Sequence, residues 1–72
     1  MMKLKPRERA VLEYIFEYQE RWKNSPTVPE IVEKCKISPS GVRYSLAQLN
    51  QKGFIQWILV RRRWLIVPLF KE

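Results

Sequence analysis

From Ile37 to Ile55 the chain specifies a helix completely: its start, its buried face, its open face and its end. Ser38 offers an N-cap oxygen, and Pro39 takes the first helical position, where a missing N–H costs nothing. Ile37 before the cap can staple onto Val42 inside the helix and fix the angle of entry. Val42, Leu46 and Leu49 recur at i, i+4 and i+7 as one apolar stripe. Lys52 suits the negative end, and Gly53 is the residue expected just past it, which predicts a helix over about 39–52. Ser40, Gly41, Arg43, Tyr44, Ala47 and Gln48 remain on the opposite side, with no acid among them. Such a face suits an anionic surface.

Two helices are predicted upstream. Lys5-Pro6 opens the first, with Glu8 near its positive end, and it runs to about Lys23. Val11, Ile15, Tyr18 and Trp22 form its stripe, widened by Leu12, Tyr14 and Phe16, so Trp22 is assigned to the core. Asn24-Ser25-Pro26 stops it. Thr27 and Glu30 have capping-box spacing and start a short helix from Pro29 to Cys35, which buries Ile31, Val32 and Cys35. Lys36-Ile37 then turns directly into the third helix, giving a helix-turn-helix.

After Gly53 the period changes. Phe54–Val60 and Trp64–Leu69 are β-branched and aromatic runs around Arg61, Arg62 and Arg63. They predict a hairpin over about 54–69 with a basic tip. The expected fold is α+β: a winged helix-turn-helix of three helices and a two- or three-stranded wing, the third strand near Thr27-Val28. Residues 1–72 are expected to form a single domain.

Composition narrows the function. A net charge of +7 calls for an anionic partner, and 46% hydrophobic content supports a packed core rather than disorder. The chain has no histidine and one cysteine, so no metal-ligand set, no cofactor and no catalytic constellation is expected. Cys35 reads as a small buried hydrophobe. No apolar run reaches the ~20 residues of a spanning helix, and no signal-peptide pattern opens the chain, so a reducing, cytoplasmic setting is expected.

The order of residues resembles a known family. Leu4-Lys-Pro-Arg-Glu-Arg-Ala-Val-Leu-Glu-Tyr-Ile15, Ser25-Pro-Thr27 with Glu30-Ile31, Ser38-Pro39 and Lys52-Gly53 are similar to the N-terminal DNA-binding domain of the LexA repressor family, over roughly residues 3–68. The resemblance implies a third helix in the major groove and a wing along the backbone. It also implies DNA contact from Ser38, Ser40, Gly41, Arg43 and Tyr44. Arg43 and Tyr44 replace the family's acidic pair on the reading helix, so the family's target sequence does not transfer. The turn before Ser38 is one residue shorter, the wing has no glycine, and the family's self-cleaving peptidase domain is not in this sequence.

The residues themselves carry the same expectation. Arg43 can pair bidentately with guanine, and Gln48 lies beside it on the polar face. Tyr44 can meet the DNA backbone or pack on the first helix. Gly41 costs roughly 1 kcal/mol in a helix, explained by close approach to DNA or by the loop-to-helix transition. Arg61, Arg62 and Arg63 suit phosphates or a minor groove, and Arg7 adds a phosphate contact from the first helix. Alternation sends Ile58, Val60, Trp64 and Ile66 outward as one apolar face, which suggests a homodimer formed through the wing. The expected function is sequence-specific binding of double-stranded DNA by a dimeric transcriptional repressor. Two other classes stay open: a winged-helix module that docks on another protein through its wing, and a non-specific nucleic-acid-binding protein.

Overall fold

Prolines open all three helices of the computed structural model, which describes residues 3–71. Helix α1 spans Pro6–Trp22, α2 Val28–Cys35 and α3 Pro39–Gln51, each entered from an extended residue, Lys5, Thr27 or Ser38. Thr27 Oγ1 accepts the Glu30 N–H at 3.3 Å while Glu30 Oε1 accepts the Thr27 N–H at 2.8 Å, closing the expected capping box. Ser38 Oγ accepts the Gly41 N–H at 3.1 Å. Lys23 and Lys36 end α1 and α2 in the left-handed region. Gly53, at φ 85°, turns the chain out of α3; nothing lies within 4 Å of where its Cβ would be, so backbone conformation alone favours glycine.

The chain then forms a two-stranded antiparallel hairpin, β1 Ile55–Val60 and β2 Arg63–Pro68. One core joins it to the helices: Val11, Leu12 and Ile15 of α1, Ile31 of α2, Val42, Leu46 and Leu49 of α3, and Phe54, Ile55 and Ile66 of the wing. Each such side chain contributes about 1.5–3 kcal/mol by leaving water.

The expected third strand near Thr27-Val28 does not form. Thr27 is committed to capping α2, and the Ser25 hydroxyl does the strand's work instead. Ser25 Oγ accepts the Ile66 N–H at 2.8 Å and donates to the Ile66 carbonyl at 3.0 Å. On the other edge Asn50 Oδ1 accepts the Trp57 N–H at 3.3 Å. Both open strand edges are thus partly blunted by side chains.

The wing faces differ from expectation. Val60 pairs with Arg63, Leu59 with Trp64, Ile58 with Leu65 and Trp57 with Ile66. Arg61 and Arg62, at φ 51° and 65°, make a two-residue turn of the type I′ pattern. Arg63 therefore belongs to the strand, and the register sits one residue from a three-residue tip, which exchanges the faces of β2. Ile66 is 3% exposed and belongs to the core, so it cannot serve an external dimer face. Trp64 lies on the face opposite Ile58 and Val60.

Two further side chains depart from expectation. Trp22 is 62% exposed at the last residue of α1, and its ring meets only Tyr18 among the described aromatic pairs. Cys35 is half-buried against the core, and burial pushes its thiol above the ordinary range, consistent with an unreactive sulfur.

A long-range ion pair joins Glu8 and Lys52. Glu8 Oε1 accepts from Lys52 Nζ at 2.7 Å and from the Lys5 N–H at 3.0 Å, with the carboxylate almost wholly buried. Burial pushes the Glu8 acid up, but these two hydrogen bonds outweigh it and hold the carboxyl below its ordinary value. A depressed folded value means stability that is present above the unfolded value and lost as pH falls through the folded one. The thermal midpoint is expected to drop below about pH 4. Glu8→Gln should lower the midpoint at neutral pH and flatten that acid limb. An unchanged acid limb in Glu8→Gln would assign acid sensitivity elsewhere, with Glu30, also held low by its Thr27 hydrogen bonds, as the first suspect.

Candidate nucleic-acid interface

Charge is segregated along the fold. Every acid of the described residues lies on α1 or α2: Glu8, Glu13, Glu17, Glu20, Glu30 and Glu33. Residues 36–71, which include α3 and the wing, carry Lys36, Arg43, Lys52, Arg61, Arg62, Arg63 and Lys71 and no acid at all. Lys52 is occupied by Glu8, which leaves the arginines as the outward cations of α3 and the wing.

Helix α3 supplies the central surface. Val42, Ser45, Leu46 and Leu49 are buried beneath it, which sets its rotation. Ser38, Ser40, Arg43 and Tyr44 are exposed, Gly41 and Gln48 half-buried. Tyr44 is 57% exposed, so most of its ring is open to solvent. The outermost line runs through Ser40, Tyr44, Ala47 and Gln51 at i, i+4, i+7 and i+11, all exposed. Gln51 was not among the expected contact residues; the i+11 continuation of the polar line is the signal that finds it.

The N-terminal end of α3 is organised by its own serines. Ser38 takes up the Gly41 N–H, its hydroxyl lies 3.5 Å from that of Ser40, and the first turn holds no acid. Pro39 has no N–H, and the Gly41 and Val42 N–H groups are taken by Ser38, so Ser40 keeps the open backbone donor at the positive dipole end of that turn. Arg7 of α1 is brought to the same place. A Cβ added to Gly41 would lie 3.3 Å from Arg7 Nη1, 3.1 Å from Ser38 Oγ and 2.7 Å from Ile37 Cγ2. The protein's own packing at Ile37 and Arg7 thus supplies an internal reason for glycine at this position.

Arg61, Arg62 and Arg63 are all exposed but stand apart, at the far end of the hairpin. No hydrogen bond or ion pair among the described residues ties them to α3. The expected residues therefore form two groups: Arg7 with the face of α3, and the wing tip. No group of metal-binding side chains occurs among the described residues, and none of their helices is long and apolar enough to cross a membrane.

A sequence model of the family described as the LexA DNA binding domain matches residues 1–63. The LexA repressor of Thermotoga neapolitana is 36% identical over 56 residues, covering 78% of this chain and 28% of that protein. A second LexA repressor, from a designated strain of the same organism, matches at 36% over 56 residues and 27% of its length. The chain thus spans less than a third of the relatives it matches.

Proposed function

The chain belongs to the LexA DNA-binding domain family, and from that premise we propose that it binds a specific sequence in double-stranded DNA and acts in transcriptional repression. In this reading α3 lies in the major groove. Arg43 pairs with a guanine edge, Gln48 and Gln51 offer amides to neighbouring bases, and Ala47 meets a thymine methyl. Ser38, Ser40, the Gly41 backbone, Tyr44 and Arg7 hold phosphates around the start of the helix, and the wing arginines hold the duplex farther out. The observation that carries the reading is the charge segregation: every outward cation of α3 and the wing is free of acidic neighbours on those elements.

Association with duplex DNA is expected to weaken steeply with salt. With about four to six phosphates neutralised, log K against log salt should fall with a slope of roughly −4 to −5. A slope near zero in a fluorescence-anisotropy titration would remove the nucleic-acid reading and favour docking on another protein through the wing. A normal slope with equal affinity for every sequence would favour the non-specific alternative.

A two-fold site would need two copies. The face that can join them is the outer one, with Ile58 and Val60 of β1 beside the half-buried Leu65 and Val67 of β2. These apolar groups have no use in a phosphate contact.

A further inference from the structure

Tyr14, Tyr18 and Trp22 recur at i, i+4 and i+8 and make an aromatic row along α1. Their rings follow one another, with centroids 5.9 Å apart for Tyr14 and Tyr18 and 6.4 Å for Tyr18 and Trp22. The row is fixed at its inner end: Tyr14 packs on the core, and Tyr18 donates its hydroxyl to Glu30 Oε2 of α2 at 3.0 Å. Its outer end is bare, since Trp22 is more exposed than any other large hydrophobic residue described. A single exposed tryptophan is ordinary on a surface, but a preformed row of three rings ending in one is a contact surface without its partner.

Charge identifies the partner. The groove beside the row is flanked by Glu17, Glu20, Arg21 and Lys34, whose charges cancel, and two copies of a +7 chain repel least across such a face. Glu17 and Arg21 stand one turn apart on the same flank of the row. When two α1 helices lie antiparallel about a two-fold axis, that flank meets itself and each glutamate comes to the other copy's arginine. We propose that α1 is a self-association face: two copies pair their α1 helices antiparallel about an axis at Tyr18, laying Tyr14 against the partner's Trp22 and Glu17 against the partner's Arg21. The contact uses no residue of the α3 face or the wing, so it is separate from the outer wing contact and joins copies with or without DNA. A row already fixed within the chain loses little freedom on pairing. Both tyrosines are partly covered within the chain, so the area falls short of the roughly 1,200 Å² of a stable interface, and the pairing is weak and concentration-dependent.

The test is sedimentation equilibrium of the Ile58→Lys chain, in which the outer wing contact is removed. That chain should still show a monomer–dimer equilibrium at high micromolar concentration. Trp22→Lys on the same background, at an exposed position, should raise the dimer dissociation constant by about tenfold or more while circular dichroism stays native. Glu17→Arg alone and Arg21→Glu alone should each abolish pairing, because like charges then meet across the axis. Mixed in equal amounts, these two variants should dimerise again, since every charge then meets its opposite. An Ile58→Lys chain that stays monomeric, or a dimer indifferent to Trp22→Lys, overturns the inference. A mixture that fails to recover overturns it as well, and leaves the ring row to a different protein.

Discussion

Ile66→Lys is expected to leave the chain unfolded at room temperature. Ile66 is 3% exposed, lies directly opposite Trp57 and has its backbone N–H and carbonyl held by Ser25. Placing a lysine there removes apolar packing and forces an ammonium into the core, a loss of about 3–5 kcal/mol or more. A chain of this size has about that much stability in total. Ile58→Lys, eight residues earlier and facing out, should keep the native circular dichroism and instead weaken self-association in sedimentation. A folded Ile66→Lys chain with native near-ultraviolet dichroism would mean that the register of the wing is wrong.

That contrast marks where the sequence stops being readable. Helix starts were legible because capping is local: Thr27 to Glu30 and Ser38 to Gly41 are three residues apart, within reach of side-chain chemistry. The buried stripe of α3 followed from spacing alone. The faces of β2 did not, because an Arg61–Arg62 turn carries none of the asparagine or glycine that would announce a two-residue loop. Counting Arg63 into the tip moves the pairing by one and turns Ile66 outward. The Ser25 bridge and the Glu8–Lys52 pair span 41 and 44 residues, and no local pattern foretells either. Among candidate contact residues, those on α3 were legible from the polar face. Gln51 was missed, and the proximity of Arg7 to Gly41 came from packing between helices.

Arg43→Ala should weaken binding to a preferred duplex by about 1–3 kcal/mol and relax discrimination at one base pair. Arg43 is exposed on the open face of α3, so the change costs no core packing and the fold should be unaffected. Loss on the preferred duplex should greatly exceed loss on random duplex. Equal losses on both would assign Arg43 to phosphate alone and pass base reading to Gln48 and Gln51.

Sequence-specific reading by α3 is tested most directly by selecting binders from a pool of random duplexes, in parallel with the intact chain and with Arg43→Ala. The expected result is a short enriched motif containing a guanine, with the preference for that guanine absent from the Arg43→Ala pool. If two copies bind together, the motif should recur as an inverted pair with centres about one helical turn apart. A pool that stays random although the chain retains DNA, or an identical motif from Arg43→Ala, would contradict the assignment of base reading to this helix face.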